Sequence, residues 1–97
     1  MTIQKTVQGG AMTLALAGRL DTATAPQLEA ELASLDGVTA LTLDFSALEY
    51  LSSAGLRVLL SAHKRMSRQG SMVVRNINGT IREVFELTGF LDLLTIE

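Results

Sequence analysis

Ninety-seven residues suffice for one domain with one hydrophobic core, and 47% hydrophobic against 19% charged residues describes a globular chain rather than a disordered one. A net charge of −2 provides no basic footprint for nucleic acid, and the absence of cysteine excludes disulfides and thiolate chemistry. With only three Phe, one Tyr and no Trp, aliphatic side chains must fill the core.

The amino terminus lacks the basic start and apolar run of a secretory signal, and the longest apolar runs are far too short to cross a bilayer. A cytoplasmic protein with no membrane insertion is the expectation. Ile3 to Val7 alternates weakly, Gly9-Gly10 signals a turn, and Met12 to Leu16 alternates clearly, which predicts two antiparallel strands. Gly18-Arg19-Leu20-Asp21 then leads out of the second strand into a loop. Pro26 suits a first helical turn, Leu28, Leu32 and Leu35 follow at i, i+4 and i+7 with Glu29 and Glu31 outside, and Gly37 is the expected helix end.

Val38 to Phe45 is mostly apolar and predicts a strand covered on both faces, followed by a short loop. From Ser53 a long amphipathic helix is expected. Leu56, Leu59, Leu60, His63 and Met66 form its packing face, Arg57, Ser61, Lys64 and Arg68 face out, and Gly70 is its C′ residue. Met72 to Arg75 is the next strand. Asn78 can cap a third helix presenting Ile81, Val84, Phe85 and Thr88 on one face, Gly89 stops it, Phe90 packs back, and Leu93 to Ile96 closes as a last strand. An opening hairpin followed by alternating helices and strands implies an α/β fold with a mostly parallel mixed sheet of about five strands, spanning residues 1–97 as one domain.

Converging catalytic parts are scarce. There is no G-x-S-x-G elbow and no P-loop. His63 is the only histidine, and ten helical residues at 1.5 Å each place it roughly 15 Å from Ser53, beyond the reach of a serine–base pair. A transition-metal site is not expected from one histidine and no cysteine. Asp44, near the end of the central strand, is expected to bond neighbouring loop backbone rather than pair with Asp21 for catalysis. Ser52-Ser53 has two readings. One hydroxyl can cap the helix. Gly55 in the first turn, unfavourable there relative to Ala, lets a bulky group approach and points towards a contact surface.

Leu43-Asp44-Phe45-Ser46 with Tyr50-Leu51-Ser52-Ser53-Ala54-Gly55-Leu56-Arg57-Val58-Leu59-Leu60 resembles a STAS domain of the stand-alone anti-sigma-factor antagonist type. Gly18-Arg19-Leu20-Asp21 and Val84 to Phe90 resemble the family's second-strand turn and its C-terminal helix with closing turn. The resemblance covers essentially the whole chain. It implies a regulator, not an enzyme and without a cofactor, that binds an anti-sigma factor with serine kinase activity, is released when phosphorylated, and is reset by a serine phosphatase. On the family motif Ser53 aligns with the phosphoacceptor, Ala54 with the small residue after it, and Ser52 with an aspartate, so this chain departs from the motif at Ser52 and Ser52 becomes a second candidate acceptor. The implied partner surface comprises Asp21, Ser52, Ser53, Ala54, Gly55, Leu56 and Arg57. A monomer when free is the expectation. Two alternatives keep other classes open: a constitutive adaptor of a membrane transporter or sensor complex, and a small hydrolase using Ser53.

Overall fold

The computed structural model describes residues 1–97. Its elements are β1 (Thr2–Gln8), β2 (Ala11–Leu20), α1 (Ala25–Leu32), β3 (Ala40–Leu51), α2 (Ser53–Gln69), β4 (Ser71–Arg75), α3 (Gly79–Thr88), α4 (Phe90–Leu93) and β5 (Thr95–Ile96). The first two strands form an antiparallel hairpin closed by Gly9-Gly10, and Gly9 supplies the positive φ of 61° that the tight turn requires. The other neighbours pair in parallel, and the five strands lie in chain order, β1-β2-β3-β4-β5. Every crossover therefore steps one strand in the same direction, and right-handed connections place the helices on one face.

That one-sidedness corrects the expectation of a central strand covered on both faces. Leu41, Leu43 and Phe45 are buried on β3, while Thr42 and Asp44 between them are only half-buried. The same alternation separates Met12, Leu14 and Leu16 from Thr13 and Ala15 on β2. The buried side joins Leu28 and Leu32 of α1, Leu59 and Met66 of α2, and Ile81 and Phe85 of α3 in one core cluster.

The central strand begins later and runs further than the sequence suggests, taking in the segment expected as a loop. Its pairing with β2 slips twice: Ala15 faces Asp44 but Ala17 faces Ala47, and Gly18 faces Leu48 but Arg19 faces Tyr50. Each slip inserts one residue into β3, so its buried residues pass from a spacing of two to a spacing of three at Phe45, Leu48 and Leu51. Likewise β2 reaches Leu20, so the expected exit loop is its last part.

Helix α1 stops at Leu32, short of Gly37. Leu35 is fully buried nonetheless, in a turn whose carbonyl, together with that of Val38, accepts the Gln69 side-chain amide at 2.7 Å each. On α2 the buried residues are Gly55, Leu56, Val58, Leu59, Ala62 and Met66, while Leu60 and His63 lie at the edge of the packing face. Gly70 has extended backbone (φ 171°), not the left-handed cap expected. Its role is clearance: a Cβ there would lie 1.9 Å from the Thr39 carbonyl oxygen. At α3 the expected cap is present, with Ile81 N–H donating to Asn78 Oδ1 at 2.9 Å. Thr88, expected on the packing face, is exposed and donates its hydroxyl to the Val84 carbonyl at 2.7 Å. Phe85 and Phe90 stack with centroids 6.2 Å apart, and the residues after Gly89 form the short helix α4 before a two-residue β5.

Candidate functional site

The site lies where β2 and β3 end side by side. The parallel ladder pairs Arg19 with Tyr50 and Leu20 with Leu51, and its final rung is Ser52 N–H donating to the Leu20 carbonyl at 2.9 Å. The backbone then turns at once from extended Ser52 (φ −99°, ψ 175°) into α2, whose first bond is Leu56 N–H to the Ser52 carbonyl at 3.0 Å. Ser52 is thus the N-cap by backbone position, but its hydroxyl caps nothing. The Ser52 Oγ is sealed from solvent and has no hydrogen-bond partner. A helix of seventeen residues therefore begins with no side chain accepting its free N–H groups.

Ser53, one residue on, is exposed. The two hydroxyls that the sequence left as alternatives occupy opposite environments, one enclosed and one in solvent. Gly55 and Leu56, expected among the contact residues, are buried instead. A Cβ on Gly55 would lie 2.7 Å from Leu51 Cδ1 and 2.8 Å from Leu20 Cγ, so the bulky group this glycine admits belongs to the chain's own core. The outward residues of the first turns are Ser53 and Arg57, with Ala54 half-buried between. Ala54 and Arg57 line a shallow groove of about 310 Å³ against Thr22, Pro26 and Glu29 at the start of α1.

Asp21 follows the last β2 residue and organises the facing loop. Its Oδ1 accepts the N–H groups of Ala23 at 3.0 Å and Thr24 at 3.1 Å, and the Arg19 guanidinium lies 3.6 Å from Oδ2. Partial desolvation pushes the Asp21 carboxyl up, but the Thr24 and Ala23 hydrogen bonds and the Arg19 charge outweigh it and hold the group below its ordinary value. Thr24 completes the loop: its Oγ1 accepts Asp21 N–H at 2.9 Å and donates to the Arg19 carbonyl at 2.8 Å. Arg19 also stacks 4.1 Å over the ring of Tyr50, which is exposed. Sequence reasoning missed this Arg19–Tyr50–Thr24 support. The signal was an Asp followed three residues later by Thr, the pattern of a self-bonded turn.

Other candidate chemistry falls apart in space. Asp44 sits on the open sheet face, paired with Ala15, and six β2 residues at about 3.3 Å each set it roughly 20 Å from the Asp21 loop. Its Oδ1 accepts Ser46 N–H at 2.9 Å and the Asn76 side-chain amide at 3.1 Å, and the Ser46 bond first, with Asn76 next, lowers its pKa. His63 lies on α2 with Ser53, the ten-residue separation intact. No three His, Cys, Asp or Glu side chains come together as metal ligands.

A family model described as the STAS domain matches residues 2–97. The chain belongs to the STAS domain family. This STAS chain is 41% identical over 90 residues to BtrV of Bordetella bronchiseptica, a candidate anti-sigma factor antagonist, covering 90% of the chain and 78% of that protein. The crystal structure of an anti-sigma factor antagonist from Mycobacterium paratuberculosis superposes with a TM-score of 0.88 at 27% identity, over 98% of this chain and 83% of that one. The Bacillus anti-sigma factor antagonist SpoIIAA shares the fold in both its unphosphorylated and phosphorylated forms, each with a TM-score of 0.77. Those two comparisons are at 21% and 22% identity and cover 99% of this STAS chain, against 87% and 91% of SpoIIAA. The relatives of this STAS domain are thus regulators that act on anti-sigma factors. No helix of the chain is long and apolar enough to cross a membrane.

Proposed function

We propose that this chain is a cytoplasmic, non-catalytic anti-sigma factor antagonist switched by phosphorylation of Ser53. The bare form binds an anti-sigma factor that is also a serine kinase and so frees the sigma factor. Phosphorylation releases the antagonist, and a serine phosphatase restores it. In the transfer, the bond between the γ-phosphorus of ATP and its β–γ bridging oxygen breaks, ADP departs, the Ser53 Oγ–P bond forms, and the hydroxyl proton passes to the kinase's base. ATP, Mg²⁺ and that base are the kinase's contribution.

The observation that carries this reading is the contrast between the adjacent serines. A kinase must bring a hydroxyl into its own active site. Ser53 offers one in solvent at the helix mouth, whereas the Ser52 Oγ is enclosed. The local field favours the product. A phosphate adds about −1.5 to −2 charges, and the uncapped N–H groups and dipole of α2 favour an anion at Ser53. The modification therefore spares the domain and acts at the interface, where the added bulk and the desolvation of a newly buried dianion oppose binding.

The test is to incubate the chain with its kinase-type anti-sigma factor and ATP, then locate the phosphate by mass spectrometry. Modification at Ser53 is the expected result. Modification confined to sites other than Ser53, or partner binding indifferent to ATP as for a constitutive adaptor, defeats the proposal.

A further inference from the structure

Helix α2 carries its solvent-facing residues on one ridge. Ser53, Arg57, Ser61, Lys64 and Arg68 are all exposed, and steps of four, four, three and four residues keep them on one stripe of the helix. From Ser53 to Gln69 there is no Asp or Glu. Arg65 is engaged with Asp36 at 2.7 Å, but Arg57, Lys64 and Arg68 make no ion pair. Glu29 lines the same groove as Arg57 yet does not come within ion-pair distance of it.

Arg57 is the first cation after Ser53, one turn along the same ridge. An anion placed four residues before a cation is the favoured orientation for a helical ion pair. A guanidinium suits phosphate further, through two parallel N–H donors. The geometry points to Arg57 as the intramolecular counter-ion of a phosphate on Ser53. This inference rests on Ser53 being the modified residue and extends that reading to how the phosphate is held. Phosphorylation then acts twice: it adds a dianion at the helix mouth and takes one free cation off the exposed ridge.

Phosphoserine is genetically encoded at position 53, and the second ionisation of the phosphate is followed by ³¹P NMR in the parent, in Arg57→Gln and in Arg68→Gln. The last removes the same charge near the far end of the helix. Arg57→Gln is expected to raise the ionisation midpoint by about 0.3 pH unit, the size of an exposed i,i+4 pair, and Arg68→Gln to leave it in place. The Arg57 Nε–H resonance of the parent is expected to shift on phosphorylation. Equal midpoints in the parent and Arg57→Gln, or equal displacement by both variants, overturns the pairing. Arg57 is exposed, so the unmodified variant should melt with the parent, which checks its fold. Because the phosphate is installed directly, failure of a kinase to modify Ser53 defeats the functional proposal and leaves this measurement readable.

Discussion

Leu20 and Gly55 meet so closely that no side chain fits between them. A Cβ at position 55 would stand 2.8 Å from Leu20 Cγ, and Leu20 is fully buried. The last residue of β2 thereby seats the first turn of α2, whose Ala54 and Arg57 face Thr22 and Pro26 across the groove. Alanine normally favours a helix by about 1 kcal/mol over glycine, but overpacking a core costs about 1–3 kcal/mol. Gly55→Ala is expected to lose about 1–2 kcal/mol net, measured by urea unfolding, and a stabilised variant would show that the contact is looser than described.

The two capping positions predict opposite outcomes. Asn78 Oδ1 accepts Ile81 N–H, and its amide donates to the Leu48 carbonyl at 2.9 Å. Asn78→Ala should cost about 1–2 kcal/mol. Ser52 has cap position without a cap bond and an enclosed, unpaired Oγ. Removing such a hydroxyl relieves a desolvation penalty, so Ser52→Ala is expected to match or exceed the parent's melting temperature. A loss as large as that of Asn78→Ala would assign Ser52 a working cap.

A Cβ at Gly70 would strike the Thr39 carbonyl, whose oxygen also accepts Ser71 N–H at 2.9 Å. The obstacle is backbone immediately before the β3–β4 pairing, with no flexible side chain to yield. Gly70→Ala is expected to destabilise by about 3 kcal/mol, at the upper end of overpacking, with exchange of the Ser71 amide accelerated. An unchanged urea midpoint contradicts this.

Stability should fall in acid for an identifiable reason. Asp21 and Asp44 both titrate below the ordinary 3.8 in the folded chain. Each therefore binds fewer protons folded than unfolded, so its contribution is present above about pH 4 and is lost as pH falls through the depressed folded value. Urea midpoints measured from pH 6 to pH 2 should drop below about pH 4, less steeply in Asp44→Asn. Parallel curves for the parent and the variant would remove Asp44 from the explanation.

Much of this fold is legible in the residues because local signals agree with packing. The Gly9-Gly10 hairpin, Pro26 opening α1, the α2 face from Leu56 to Met66, and Asn78 as a cap all follow from turn chemistry and period. The errors fall where tertiary contact overrides pattern. Ser46 to Leu51 looks like loop because two bulges break the strand's alternation, and a bulge is visible only against its partner strand. Gly70 resembles a helix stop, yet Thr39 dictates it. Gly55 signals close approach correctly, but spacing does not say that the visitor is Leu20. The candidate site is legible only as a position, the start of α2. Which of its two serines is exposed and which has its hydroxyl enclosed is not legible, since burial of a single hydroxyl depends on every element packed around it.

The most direct measurement compares bare and Ser53-phosphorylated protein for affinity towards the anti-sigma factor, with the melting temperature of each recorded alongside. The expected result is at least tenfold weaker binding after phosphorylation, about 1.4 kcal/mol, with melting temperatures that coincide. Equal affinity in the two forms, or a phosphorylated chain that has lost its fold, would contradict the account.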